Sequence, residues 1–486
     1  MKRTSVIALI ICLLLTSCQL GNPKLPENAA TSAVSATQTA ATVSTQEQMS
    51  SLITDITAVT GEGVTVQTIT GNGVTLVTAT NPSGSASQPA TPSATAPQQT
   101  TARPNPTQTP TNAPTAAPTN PPASASTEMR AIWISCYDYT SAAGKTRAQY
   151  KAITDTMFAN IKNCGLNTAF VHLRAFSDAF YKSDIYPYSS YIAGREGNSL
   201  PFDPFEVLLE SARAYGISVH GWINPFRVST KSDPSLLSNS NPAKAILNSD
   251  NEDGRICVLS NGIYYNPSHI ENHRFILDGV REILNNYDVD GIHIDDYFYP
   301  STDTSIDSIQ YNAYKNNGGT LSLKNWRIQN VNSFVSALYS TVKSIDPSAI
   351  VSISPAAQID KNKNELYADC RHWLSQSGYA DVIIPQIYFG FEHSTLPFPE
   401  LLAQWANLPR HSSVKLVCGI AAYKCATEDA YAGSGKNEWK NNTDILARQL
   451  EGIRNNRSYS GFAVFSYKDL VRGSCQTEIN NLKEKI

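Results

Sequence analysis

The chain of 486 residues lacks several familiar catalytic signatures. It has no C-x-x-C pair, no G-x-S-x-G elbow and no H-E-x-x-H pair, and no G-x-G-x-x-G follows a strand-like run. These absences count against a zinc ribbon or dithiol centre, a serine-hydrolase elbow, a zincin and a dinucleotide-binding sheet. His269 and His273 stand four apart on a predicted helix, but position 270 is Ile where a zincin carries Glu. No metal and no cofactor is expected. The formal net charge is only -3, and no basic stripe is visible. A nucleic-acid partner needs a cationic footprint, so none is expected. An apolar run long enough to span a bilayer is also missing. Val6 to Leu15 falls well short of the roughly 20 residues needed.

That short run fits another use. Lys2 and Arg3 precede it, and Leu15-Thr16-Ser17-Cys18 follows at once. A positive start, a short apolar core and this tetrapeptide match a bacterial lipobox, whose cysteine takes the lipid. The expectation is a signal segment over residues 1–17 and a lipid on Cys18. The mature protein is then held on the extracytoplasmic face of the cell membrane. Residues 18–127 are rich in Thr, Ser, Ala and Pro, most densely from Thr107 to Pro122. Such a segment buries too little apolar surface to offset its ordering entropy and reads as a disordered spacer. Alternating Val, Ile and Leu between Ile53 and Thr78 suggests a small hairpin within 51–80. With Cys12 in the signal and Cys18 lipidated, seven of the nine cysteines remain. They fall mostly in apolar runs and read as buried thiols, not as a disulfide framework.

From Glu128 onward, residues 128–486 alternate short apolar runs with amphipathic stretches. The predicted strands are Ala131–Cys136, Thr168–Leu173, Ser218–Ile223, Gly291–Asp295, Ile350–Ser354, Asp381–Ile387, Lys415–Ile420 and Gly461–Phe465. Helical stripes lie between them, such as Val331, Phe334, Val335 and Leu338. Asp203-Pro204 marks one helix start, as cap and first-turn proline. Eight strand–helix units predict an α/β fold, the (β/α)8 TIM barrel. A doubly wound open sheet is the alternative. Period-two alternation then assigns faces. It points Trp133, Ser135 and Tyr137 inward, with His172 and Arg174, Trp222 and Asn224, His293 and Asp295, Ser352 and Ser354, and Gln386 and Tyr388. They converge on the carboxyl ends of the strands, where this fold carries its chemistry.

The densest segment is Asp290-Gly291-Ile292-His293-Ile294-Asp295-Asp296-Tyr297-Phe298-Tyr299. Its strand runs straight into two carboxylates and three aromatics, a composition suited to cleaving a glycosidic bond. Asp295 and Asp296 are the candidate catalytic carboxylates, since close carboxylates keep one of the two protonated. Arg174 is a candidate ion-pair partner for Asp295. Asn224 and Gln386 are candidate readers of sugar hydroxyls or amides, with His293 beside them. Trp133, Trp222, Tyr137, Tyr299 and Tyr388 are candidate stacking platforms.

These residues resemble a family. Arg130-Ala131-Ile132-Trp133, Val171-His172-Leu173-Arg174, His220-Gly221-Trp222-Ile223-Asn224-Pro225-Phe226-Arg227 and the segment from Asp290 to Tyr299 look like glycosyl hydrolase-like family ten. Trp326-Arg327, Ser354-Pro355, Pro385-Gln386-Ile387-Tyr388 and Ala422-Tyr423-Lys424 match as well. The resemblance implies a bacterial envelope protein that cleaves peptidoglycan glycan strands lacking stem peptides. The strand-four segment is also similar to the D-G-x-D-x-D-x-E pattern of chitinases. Asp290 and Asp295 match it, whereas His293 and Tyr297 stand in place of the middle acid and the catalytic glutamate. The proton donor must then be Asp296 or a carboxylate from another loop, Asp360 or Glu392. Asp295 acts either as nucleophile or by orienting a substrate acetamido group. Two other readings remain. One is a barrel that binds wall glycan without cutting it, for which no donor within about 5–10 Å of Asp295 is required. The other is a hydrolase of another extracellular polysaccharide. Protein partners are not indicated.

Overall fold

A computed structural model describes residues 128–249 and 251–486 in full, with the backbone of a short strand pair upstream. That pair is β1 (Thr65–Gly71) and β2 (Val74–Thr80), antiparallel, with Thr65 opposite Thr80 and Gly71 opposite Val74. It falls where alternation predicts a hairpin. Cys18 and the rest of the expected signal segment and spacer lie outside the described residues.

From residue 128 onward, β3 (Met129–Ile134), β4 (Thr168–Arg174) and β5 (Ser218–Ile223) come first. A three-stranded antiparallel excursion follows: β6 (Arg227–Ser229), β7 (Ile256–Leu259) and β8 (Gly262–Tyr265). Then come β9 (Gly291–Ile294), β10 (Ile350–Ile353), β11 (Val382–Ile383), β12 (Lys415–Ala421) and β13 (Tyr459–Phe465). Strands β3, β4, β5 and β9 to β13 pair in parallel and close into an eight-stranded barrel. This is the (β/α)8 architecture that the strand–helix rhythm predicts. Strand β11 is shorter than expected. Past it, Gln386 makes isolated bridges to Ala356 and Gly419, which continue the ladder to the mouth.

Local signals place the helices. Asp203 caps the helix Pro204–Ala214 by accepting from the Phe205 N–H at 2.9 Å, with Pro204 in the first turn. Thr146 and Gln149 form a capping box on the helix Arg147–Asn163. In the helix Leu323–Ile345, the stripe Val331, Phe334, Val335 and Leu338 is fully buried against the barrel. Alternation sorts the barrel strands into two cores. Ile132, Ile134, Val171, Val219, Ile223, Ile292, Ile294, Val351 and Ile353 pack outward on the helices. Ala131, Trp133, Phe170, Trp222, Val382, Val417 and Ala463 fill the interior. Each large side chain removed from water contributes about 1.5–3 kcal/mol. Gly291 opens β9 where a side chain cannot fit, because a Cβ there would run into the Ile350 carbonyl oxygen. The seven cysteines from Cys136 onward are all free thiols, and all but Cys164 are buried.

One buried ion pair fixes the loop that leaves β9. Asp307 and Arg327 are both fully buried and pair through two bonds, Nε–Oδ2 at 2.8 Å and Nη2–Oδ1 at 2.6 Å. The same guanidinium donates to the Tyr367 hydroxyl at 2.9 Å and to the Asp303 carbonyl at 2.7 Å, and covers the Tyr299 ring at 5.1 Å. Arg327→Ala leaves the Asp307 carboxylate buried without its partner and is expected to cost about 3–5 kcal/mol of folding free energy. Denaturant unfolding of variant and wild type checks this. A loss within about 0.5 kcal/mol, the range of ordinary surface changes, would show that the pair contributes little.

Candidate active site

Register decides which side chains meet. Trp222 of β5, His293 of β9 and Ser352 of β10 stand opposite one another. They form one interior level. Within it the Trp133 indole N–H donates to His293 Nε2 at 3.0 Å. His293 must then carry its proton on Nδ1, which donates to Ser352 Oγ at 2.8 Å. Burial holds His293 well below its ordinary pKa, so it is neutral. Trp222 lies against the His172 ring at 3.7 Å and 7°. This level is a packed floor.

Two residues further along each strand, Asn224, Asp295 and Ser354 reach the next level. A hydrogen-bonded chain runs through it. The Cys136 backbone N–H donates to His172 Nδ1 at 3.3 Å, which leaves the proton on Nε2. Nε2 donates to Asn224 Oδ1 at 2.6 Å, and Asn224 Nδ2 donates to Asp295 Oδ1 at 2.6 Å. The Tyr297 backbone N–H donates to the same oxygen at 3.2 Å. With Oδ1 accepting twice, Oδ2 is the oxygen that can carry a proton. Asp296 accepts from Gln386 Nε2 at 3.2 Å, and that amide is braced on the Ser354 carbonyl at 2.9 Å.

Burial pushes Asp295 up to about 7, and the charge of Asp296 adds to the rise; Arg227, the Asn224 amide and the Tyr297 N–H pull the other way. Burial raises Asp296 too, opposed by the Gln386 amide and by the charges of Lys361 and Arg227. Both acids are raised by burial, so the pair holds a proton near neutral pH. Around the carboxyls runs a band of rings. Arg227 lies over Phe176 at 4.7 Å and over Tyr297 at 4.2 Å. Tyr191 stacks on Phe176 at 6.4 Å and meets Tyr137 edge-on at 5.5 Å. Tyr137, Tyr191 and Tyr297 are 43%, 37% and 39% exposed, so each ring reaches the surface at the mouth. Half-buried Tyr388 and Tyr423 meet edge-on at 6.0 Å. The charges of Asp295 and Asp296 help to raise the Tyr388 phenol, after burial and Tyr423. A groove of about 870 Å³ lies elsewhere, on the outer helix Leu323–Ile345, and none of these residues lines it.

A carboxyl pair in a ring-lined barrel mouth suits carbohydrate chemistry, and similarity to known proteins points the same way. The family described as Glycosyl hydrolase-like 10 matches residues 128–433. The chain belongs to that family. Glycosyl hydrolase YngK of Bacillus subtilis is 30% identical over 370 residues, covering 72% of this chain and 70% of YngK. Glycosyl hydrolase DigH of Escherichia coli is 29% identical over 337 residues, covering 62% of this chain and 74% of DigH. The PgaB (BpsB) glycoside hydrolase domain from Bordetella bronchiseptica superposes with a TM-score of 0.50 at 13% identity. It covers 73% of this chain and 99% of that domain, and shows the fold alone.

Within this member of the Glycosyl hydrolase-like 10 family, the residues expected from sequence divide into three groups. Asp295 and Asp296 stand together at the mouth, with Tyr137 and Tyr388 on the rim. Asn224 and Gln386 are there too, but each is bound to a carboxylate. Through these bonds they position the acids. The others belong to the packed interior or the outer shell. Trp133 is 1% exposed and His293 fully buried, and the face of Trp222 is covered by His172. Tyr299 turns outward onto Arg327 and Tyr367.

Arg174 does not pair with Asp295. A bulge in β4 sets His172 opposite Trp222 but Arg174 opposite Ile223, so strict alternation fails there. Arg174 instead donates to the Asn224 and Pro225 carbonyls at 2.8 and 2.9 Å and lies over the Tyr186 ring. Arg227 provides the charge beside Asp295. The spare acids also move off the site: Asp360 pairs with Arg371 at 3.5 Å. Glu392 is exposed, on a loop whose N–H is held by Glu438. Asp290, the first acid of the chitinase-like pattern, sits at the opposite end of β9 and accepts from the Val219 N–H at 2.6 Å.

The raised Asp295 pKa has a consequence for stability. In the unfolded chain this carboxyl titrates near 4. Between about 4 and about 7 the folded protein keeps a proton that the unfolded chain has released, so stability falls as pH rises through that window. Asp295→Asn removes the ionisation. Thermal melts should show the variant gaining on wild type from pH 4 to pH 8, by on the order of 2–4 kcal/mol. A difference that stays constant over that range would mean the carboxyl titrates normally.

Proposed function

We propose that this protein is a glycoside hydrolase of the cell wall, cutting peptidoglycan glycan strands, and that Asp295 and Asp296 do the chemistry. The observation that carries the reading is the adjacent carboxyl pair, buried at the barrel mouth and holding one proton. Glycosidic cleavage needs an acid for the leaving oxygen and a negative charge beside the oxocarbenium-like centre. Asp295, lifted to about 7, supplies the proton from Oδ2. Asp296, with its charge favoured by Gln386 and Lys361, supplies the carboxylate. This reverses the order in which the two roles are assigned from sequence alone. Asn224 and His172 hold Asp295 in place, and the exposed tyrosines offer flat faces to sugar rings. Strands without stem peptides fit because a bare glycan can lie along a band of rings. The lipobox supports attachment at Cys18 on the extracytoplasmic face, where wall glycan is found.

Purified protein is incubated with wall glycan, with and without stem peptides, and the products are read by mass spectrometry. Cleavage of the bare strands is expected. Asp295→Asn should lose about 10²–10⁴ in rate on natural glycan, but far less on an aryl glycoside whose leaving group needs no proton. Equal losses on both substrates would remove Asp295 from the acid role. A folded protein that binds bare glycan and never cuts it would be a binding barrel.

Attachment has its own check. Cys18→Ser should move the protein out of the membrane fraction, and retention there would contradict the lipid anchor.

A further inference from the structure

Arg227 is held more firmly than tuning one carboxyl requires. Its guanidinium is clasped between the Phe176 and Tyr297 rings at 4.7 and 4.2 Å. Its backbone is fixed on two sides. It opens β6 in register with Tyr264, and the Tyr265 N–H donates to the neighbouring Phe226 carbonyl at 2.8 Å. Just upstream, Arg174 holds the Asn224 and Pro225 carbonyls. Yet Arg227 forms no ion pair within 4.0 Å among the described residues. Rings on its faces leave the in-plane N–H fork as the part that can bond. The residue is half-buried at the mouth, and the Phe176 ring it lies over also stacks on Tyr191, which meets Tyr137. A rigid planar fork that feels the charge of Asp295 but closes no ion pair on a carboxylate, beside tyrosine rings, matches a singly charged planar anion joined to a sugar.

We propose that Arg227 reads a carboxylate on the glycan, forming an acidic-sugar subsite next to the Asp295–Asp296 pair. The proposal rests on the glycan reading above. It adds that a sugar acid occupies the position beside the cleaved bond. Two natural groups have this chemistry: the lactyl ether of a muramic residue, which is free only where no stem peptide is attached, and the C6 carboxylate of a uronic acid. Loss of a bidentate charge-assisted contact should lower binding about 10–100-fold.

The test uses the full-length protein, and its primary readout, calorimetric binding, does not require turnover. The probes are a bare muramic-acid oligosaccharide, an oligosaccharide alternating N-acetylglucosamine with glucuronate, and the carboxyl-reduced form of each. Wild type should bind one acidic probe more tightly than its reduced form, and the probe preferred names the source of the carboxylate. Arg227→Gln should erase that preference. Arg227→Lys, which keeps the charge without the fork, should retain only a small part of it. Equal binding of acidic and reduced forms by wild type would overturn the proposal. So would an Arg227→Gln variant that weakens both forms by the same factor, since Arg227 would then act through Asp295 alone. Turnover is measured in parallel. An Arg227-dependent preference without cleavage would sink the hydrolase reading and leave the subsite standing. Cleavage without preference would do the reverse.

Discussion

Two neighbouring carboxyls are taken out of water at the mouth of a barrel, and much of the surrounding structure answers the cost of doing so. Burial of a single charge is strongly unfavourable, and a second acid beside it raises the cost further. Among the described residues the protein closes no ion pair on either acid, although the nearby charge of Arg227 opposes the rise of both. It lets one proton remain and uses hydrogen bonds to place it. Asn224 and the Tyr297 N–H both occupy one oxygen of Asp295, so the proton has one place to go. Gln386, braced on the Ser354 carbonyl, steadies the other acid. A carboxylic acid poised near neutrality is the chemical product of that arrangement, the property that general-acid chemistry requires.

The interior below the acids explains why they stay where they are. Trp133, His293 and Ser352 are linked by hydrogen bonds, and Phe170 stacks on His293 at 4.2 Å. Burial keeps His220 neutral, and it does the same for two other histidines of this region, His172 and His293. Each is locked in one tautomer by a donor from another element: the Cys136 N–H for the first and the Trp133 indole for the second. A floor of neutral polar groups carries no charge that would compete for the acidic proton, although His220 Nε2 and Trp222 Nε1 are buried there without a hydrogen-bond partner.

Much of this arrangement is legible in the amino-acid sequence. Period-two alternation correctly places Trp133, Trp222, His293, Asn224 and Asp295 inside the barrel. Alternation gives a side and not a depth, however. That is why it offers Trp133 and His293 to the substrate, while in the folded barrel they form the floor. It also cannot see a bulge. One extra residue in β4 turns Arg174 away and leaves its expected place to Arg227. Arg227 is on view in the segment Trp222 to Arg227, yet it lies past the end of β5, where strand periodicity has stopped. Tyr299 escapes alternation for the same reason: the loop after β9 is shaped by the Asp307–Arg327 pair, whose partners are 20 residues apart.

The central claim is that Asp295 keeps its proton to neutral pH because it is buried beside Asp296. The direct measurement is a titration of the aspartate side-chain carboxyl carbons by 13C NMR, with Asp295 assigned from its Asn variant. The account predicts a midpoint close to 7 for Asp295, moving down when Asp296→Asn removes the neighbouring charge. A midpoint near 4, or one that ignores the Asp296 substitution, would contradict it.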